Sequence, residues 1–243
     1  MTQFDKIFIF KENPWLKKII LLEETASTQK ELEEQDISTL CIAKRQSAGY
    51  GRFQRQYFSA KNGGVYMSLT LSTKDFKNPA QLTLLAAVAT VSAIRSLTNK
   101  EVLIKWVNDI YLNNKKIIGI LCEQRGGNLI LGMGINFHIT DFPDYLSDVA
   151  CSIFNEENPT ISESELISKI WSEFQRLKDE DYLSFYKKYC FVLGKKISFS
   201  QNSSHFDGIA IDLTSKGELI VNCTDGITRT LNSGEISLDK LQF

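Results

Sequence analysis

The stretch from 102 to 137 decides the fold: Val102-Leu-Ile-Lys-Trp-Val-Asn-Asp-Ile-Tyr-Leu112, then Asn113-Asn114, Lys115-Lys-Ile-Ile-Gly-Ile-Leu-Cys-Glu-Gln-Arg125, Gly126-Gly127 and Asn128-Leu-Ile-Leu-Gly-Met-Gly-Ile-Asn-Phe137. Val102–Trp106, Ile110–Leu112, Lys116–Glu123 and Leu129–Phe137 read as strands. Between them stand Asn113-Asn114 and Gly126-Gly127, residues that accept positive φ and so suit tight turns. Antiparallel neighbours joined this way predict an α+β fold. A central mixed sheet with flanking helices is expected, and not a doubly wound parallel sheet.

Upstream, Lys6–Phe10 and Lys17–Leu22 read as short β segments around Asn13-Pro14. Thr28 with Glu31 has the spacing of a capping box, which predicts a helix starting near residue 28 and a helix N-terminus offered to an anionic or polar ligand. Leu40–Lys44 is a strand, followed by the basic glycine loop Gly49-Tyr50-Gly51-Arg52-Phe53-Gln54-Arg55 and a strand at 64–72. Two glycines one residue apart permit unusual backbone angles and close approach of a ligand. Arg52 and Arg55 are planar cations suited to phosphate or carboxylate. Asn78-Pro79 opens a helix carrying Leu82, Leu85, Ala89, Ala93 and Leu97 at helical spacing, a core helix under the sheet.

Downstream, Ser162 and Glu165 form a second capping-box pattern ahead of Leu166, Ile167, Ile170, Trp171, Phe174 and Leu177, an amphipathic helix. A further helix spans 181–190. From Lys195 the pattern changes to short strands, Lys196–Ser200, Phe206–Leu213, Glu218–Cys223, Thr228–Leu231 and Ile236–Leu238, with glycine-bearing turns between them. This predicts two domains, 1–193 and 194–243, the second a small β-barrel.

The 243 residues carry a net charge of −1, so nothing points to nucleic acid or to an anionic membrane as a partner. No apolar run of bilayer length and no signal-peptide pattern is apparent. Cys41, Cys122, Cys151, Cys190 and Cys223 form no C-x-x-C pair and read as reduced cysteines of a cytoplasmic protein. Two histidines far apart give no zinc pattern, and no metal-ligand set is read from the sequence. No P-loop motif occurs.

Four pieces stand in a fixed order: the glycine loop, Lys105-Trp106-Val107-Asn108-Asp109, Gly119-Ile120-Leu121-Cys122-Glu123, and Gly132-Met133-Gly134-Ile135-Asn136. Together they resemble the biotin protein ligases, also called biotin–[acetyl-CoA-carboxylase] ligases. That family shows Gly-Arg-Gly-Arg-x-x-Arg, Lys-Trp-Pro-Asn-Asp, Gly-Ile-Leu-x-Glu and Gly-x-Gly-Ile-Asn. The resemblance spans roughly residues 20–240, and Gly234-Glu235-Ile236-Ser237 matches the family's terminal signature.

The resemblance implies an ATP- and Mg²⁺-dependent enzyme that forms biotinyl-adenylate. It would then pass biotin to one lysine of a biotin carboxyl carrier protein or carboxylase biotinyl domain. It implies an SH3-like barrel at the C-terminus and a homodimer built by pairing central sheets. Lys105 would be the catalytic cation bridging acid and phosphate and would itself bind biotin, with Arg52 as a second catalytic group. Ser27, Thr28, Gln29, Gln46, Gly49, Tyr50 and Gly51 would hold the biotin head, with Gly119, Gly132 and Gly134 giving it room. Arg52, Arg55 and the aromatic residue at position 57 would hold the nucleotide. Asn108 and Asp109 could orient the lysine, the adenylate or Mg²⁺, and Trp106 could be core or ligand wall.

Tyr50, Phe53 and Gln54 replace two arginines and a glycine of the family's loop, Gln29 replaces an asparagine, and Val107 replaces a proline. Tyr50 and Phe53 would pack over the ligand when the loop closes. The family's N-terminal helix-turn-helix is not expected. The competing readings are a lipoate- or octanoate-handling ligase of the same superfamily and a non-catalytic ligand-binding paralogue.

Overall fold

In the computed structural model the described residues are 4–76, 79–125, 127–156, 158–201, 204–232, 234 and 236–238. Asn78 of the helix start, Gly126 of the turn and Glu235 of the terminal signature lie outside them. The chain order is α1 (Lys6–Glu12), β1 (Lys18–Thr25), β2 (Thr39–Gln46), β3 (Gly64–Ser72), α2 (Pro79–Thr98), β4 (Leu103–Lys105), β5 (Asp109–Leu112), β6 (Lys115–Arg125) and β7 (Asn128–Asn136). After these come α3 (Asp144–Ser147), α4 (Glu163–Leu177), α5 (Tyr182–Tyr189), β8 (Lys196–Gln201), β9 (Ser204–Leu213), β10 (Leu219–Cys223), β11 (Thr228–Leu231) and β12 (Ile236–Leu238).

Seven strands form one sheet in the order β1-β2-β3-β7-β6-β5-β4. Only β1 and β2 run parallel, and the other neighbours are antiparallel, so the sheet is mixed. The β5–β6 hairpin closes through Asn113 and Asn114 at φ 49° and 63°, where asparagine is tolerated better than most residues.

Strand alternation gives the sheet two different faces. On β7, Leu129, Leu131, Met133 and Ile135 join the main core, as do Val65, Met67, Leu69 and Leu71 of β3. That core is built against α2, α4 and α5, and a fully buried aliphatic side chain contributes roughly 1.5–3 kcal/mol. The other face presents Tyr66 and Ser68 of β3 beside Gly134 and Gly132 of β7, a surface cleared of bulk along part of its length. Ser162 caps α4 with the reciprocal Glu165 contact that the sequence predicts. By length and composition α2 could cross a bilayer, but it is largely buried in the core.

Two local expectations fail. Lys6–Phe10 lies in a helix, because Asp5 caps it by accepting from the Phe8 amide and the buried Asn13 closes it. A short apolar run cannot by itself separate helix from strand. No α-helix starts at residue 28, where only a 3-10 turn, Lys30–Leu32, forms. The Thr28 hydroxyl lies against Ser68 and Gln46, and Glu31 accepts from Thr25, so the capping box is never made. The helix-terminus reading of that segment goes with it.

The C-terminal strands form a five-stranded antiparallel sheet, β11-β10-β9-β8-β12. Among the described residues no pairing of β11 with β12 closes it into a barrel. Trp106 Nε1 donates to the Gly217 carbonyl at 3.0 Å and so ties the large sheet to the small one.

Candidate active site

A cavity of about 470 Å³ opens on the cleared face of the central sheet. That is within the usual size range of small-molecule sites. Of the candidate residues from the sequence, all but Gly49 and Phe53 line it, and Phe53 is 63% exposed.

One end is polar and buried. Ser27, Thr28 and Gln29 are each under 5% exposed. The Thr28 amide donates to Gln46 Oε1 at 2.8 Å, and the Thr28 and Ser68 hydroxyls lie 2.7 Å apart. Gln29 Nε2 donates to the Leu121 carbonyl at 3.2 Å, while its Oε1 has no hydrogen-bond partner. An unpaired buried acceptor of this kind costs roughly 1–3 kcal/mol. Gly49 sits behind this end, where a Cβ would stand 2.7 Å from Gln46 Nε2. It makes room for Gln46.

The strand glycines make room in the same way. A Cβ on Gly132 would meet Gln29 Nε2 at 2.8 Å, and one on Gly134 would meet the Tyr57 ring at 2.5 Å. On Gly119 it would meet Tyr57 and the Lys116 Nζ at 3.1 Å. In this structure the space beside each glycine admits one of the chain's own side chains, which then forms the cavity wall. Gly132 in particular accommodates the extra methylene of Gln29. Tyr57 donates to the Gly134 carbonyl at 2.8 Å, and burial, followed by nearby Tyr66 and Asp109, pushes its hydroxyl pKa up.

The other end carries the cations. The glycine loop is a tight excursion: the Gly51 amide donates to the Arg55 carbonyl at 2.8 Å and the Tyr57 amide to that of Gly49 at 2.9 Å. Its left-handed residues are Phe53 and Gln54, at φ 57° and 58°, and not the glycines. Arg52 reaches back to Asn108 Oδ1 at 3.4 Å and to the Gly234 carbonyl at 3.1 Å. Lys105, at the end of β4, lines the same wall, its Nζ 5.8 Å from the centre of the Tyr111 ring.

Asn108 donates to the Ile120 carbonyl at 2.8 Å, while Asp109 pairs with Lys116 at 2.7 Å. Asn108 thus touches Arg52, and Asp109 holds a second lysine, Lys116. The Trp106–Val107 peptide is cis. Trp106 is both core and cavity wall.

Sequence reading missed Lys116, Ser68 and the contribution of Gly234, Ile236 and Ser237 from the small sheet. Ser68 and Lys116 carry no motif, and they enter only through strand pairing. Asp109 is the one carboxylate among the described cavity-lining residues. The described residues hold no group of three or more His, Cys, Asp or Glu able to bind a metal.

Residues 19–139 match the model of the biotin/lipoate A/B protein ligase family, and residues 192–239 match that of the biotin protein ligase C-terminal domain. The bifunctional ligase/repressor BirA of Bacillus subtilis is 33% identical over 236 residues, a match covering 90% of this chain and 72% of that protein. The biotin–[acetyl-CoA-carboxylase] ligase of Mycobacterium tuberculosis is 22% identical, with 90% and 88% covered. Among solved structures, the biotin protein ligase of Aquifex aeolicus in complex with biotin and ATP superimposes with a TM-score of 0.80 at 28% identity. That match covers 92% of this chain and 99% of the other.

The chain therefore belongs to the biotin/lipoate protein ligase family. Within it, both matched segments and these relatives place it among the biotin protein ligases.

Proposed function

We propose that this protein is an ATP-dependent biotin protein ligase that forms biotinyl-adenylate in the cavity and transfers biotin to one lysine of a carboxylase's biotin carrier domain. The observation that carries the reading is the division of one cavity into a buried polar end and a cationic end. An acid with a neutral, hydrogen-bonding head and a carboxylate tail fits that division.

Joining a carboxylate to an amine requires activation, and the substrate ATP supplies it. The carboxylate oxygen attacks the α-phosphorus, the bond to the β-phosphate oxygen breaks, and pyrophosphate leaves. Positioning and charge neutralisation are the protein's share of this step. Ser27, Thr28, Gln29 and Gln46 take the head, and a head-group N–H would supply the partner that Gln29 Oε1 lacks. Lys105 is the central cation, a compact point charge between carboxylate and phosphate. Arg52 and Arg55 spread charge over the phosphates. Tyr57 walls the acyl chain between Gly119 and Gly134.

Among the described lining residues Asp109 is the one carboxylate, already paired to Lys116, and those residues offer no ligand set for a resident metal. Mg²⁺ belongs to this reading as a companion of the ATP phosphates, and no step above runs through it. In the second half-reaction the acceptor lysine's neutral amine attacks the adenylate carbonyl, and AMP leaves.

Five free cysteines, at least three of them buried, suit a reducing cytoplasm. Homodimer formation through the central sheet is part of the reading by resemblance.

The test is transfer itself. The protein, biotin, Mg²⁺-ATP and an isolated biotinyl carrier domain are combined, and the acceptor is weighed by mass spectrometry. One biotin on one lysine is expected. Modification by lipoate or octanoate in its place would assign the neighbouring activity. An unmodified acceptor with a folded enzyme would favour the non-catalytic paralogue.

A further inference from the structure

The loop that carries Arg52 is fastened on both sides of the cavity by the chain itself. On one side Arg52 reaches Asn108 and the Gly234 carbonyl. On the other, the Tyr50 hydroxyl donates to Glu123 Oε2 at 2.9 Å. Arg125 Nη2 then donates to the Tyr50 oxygen at 3.1 Å and lies 3.2 Å from the same Glu123 oxygen. The second Arg125 nitrogen, Nη1, pairs with Glu33 at 2.8 Å. Three separate pieces of chain meet there: the glycine loop, the end of β6 and the segment after the 3-10 turn at Lys30–Leu32.

Glu123 and Arg125 are both partly shielded from water, with side-chain exposures of 23% and 32%. The hydrogen bonds among them are therefore screened less than those of a surface pair. Burial, then the bond to Glu123, pushes the Tyr50 pKa up to about 12, so the hydroxyl stays a donor throughout the neutral range.

Tyr50, Gly51 and Arg52 all line the cavity, so a strap one glycine long separates the two fastenings. With Tyr50 held by Glu123, the backbone that carries Arg52 is kept over the cavity, within reach of Asn108 and the Gly234 carbonyl. We propose that Tyr50, Glu123 and Arg125 form a clasp that holds the loop across the cavity and positions Arg52. In the reading proposed above, which this inference rests on, the clasp sets how long a bound adenylate is retained. Tyrosine at position 50 gives the loop a neutral donor that a carboxylate on the sheet can hold, so fastening here does not depend on a ligand. These are positioning residues, since they act on the bound molecule through Arg52 and the loop.

The tests use Tyr50→Phe, which removes one oxygen, together with Glu123→Leu and the double variant. Amide hydrogen exchange over residues 49–57 of the ligand-free protein reads the clasp without reference to activity. Exchange about tenfold faster is expected in each single variant, the lower end of what one hydrogen bond to a charged acceptor is worth. The double variant is expected to be no faster than the single ones, because all three break the same bond. Glu123→Gln, which keeps an acceptor oxygen, should restore most of the protection.

In protein preloaded with biotin and Mg²⁺-ATP, adenylate release, followed by labelling of bystander lysines, should rise by the same factor. Unchanged exchange in Tyr50→Phe, or effects that add in the double variant, would overturn the clasp. Faster exchange in protein that forms no adenylate would uphold the clasp and overturn the ligase reading instead.

Discussion

The two ends of the cavity are built on opposite plans. The polar end is made of side chains held by strands and by one another, with buried Ser68 on β3, half-buried Gln46 closing β2, and buried Thr28 and Gln29 beside them. The cationic end takes Lys105 from the end of β4 but Arg52 and Arg55 from a loop, with Phe53 63% exposed at its tip. A rigid end suits recognition, because preorganised hydrogen-bond partners discriminate without rearrangement. A loop suits activation and retention, because it must admit ATP and then keep water from the anhydride. The difference assigns separate kinetic signatures to the two ends. Changes at the polar end should appear in KM for the acid, and changes at the cationic end in kcat or in leakage of the intermediate.

The largest effect should come from Lys105→Ala, with pyrophosphate exchange falling about 10²- to 10³-fold while KM for the acid stays near its original value. An unchanged thermal unfolding midpoint would show that the loss is chemical. If KM rose and kcat held, Lys105 would belong to recognition and the contrast between the ends would fail.

Next in size is Gly132→Ala. Its methyl group would stand 2.8 Å from Gln29 Nε2, so the amide must move, and KM for biotin should rise about tenfold with kcat little changed. Equal loss in both parameters would mean that the polar end also takes part in the chemistry.

Arg52→Gly removes the contacts to Asn108 and Gly234, and adenylate should then escape. Labelling of bystander proteins in the presence of biotin and ATP should increase at least about tenfold, no less than in the clasp variants, and no increase would remove Arg52 from the retaining role. The smallest effect is that of Gln54→Gly. Left-handed backbone at φ 58° costs a non-glycine residue about 1 kcal/mol, part of which the floppier unfolded glycine chain cancels. A rise of roughly 1–2 °C in the unfolding midpoint is expected. A fall would mean that the Gln54 side chain holds the loop.

Much of this was legible in the sequence. Strand and turn patterns gave β2, β3, β5–β7 and the five short C-terminal strands, and motif order brought together almost all of the cavity wall. What was hidden depends on who meets whom in space. Lys6–Phe10 reads equally well as helix or strand, and only Asp5 and Asn13 decide it. The Thr28 and Glu31 pattern is a genuine cap spacing, but tertiary partners claimed both side chains. Gly119, Gly132 and Gly134 announce space without saying what fills it, and here Tyr57, Gln29 and Lys116 do. The Tyr50–Glu123–Arg125 contact joins residues 73 positions apart and has no local signature at all.

A cavity that activates the carboxylate of biotin must catalyse isotopic exchange of pyrophosphate into ATP when biotin is present. The folded protein with Mg²⁺-ATP is given biotin, lipoate, octanoate or no acid in parallel. Exchange is expected with biotin, and none without it or with the other two acids. Exchange driven by lipoate or octanoate, or no exchange with any acid, would contradict that expectation.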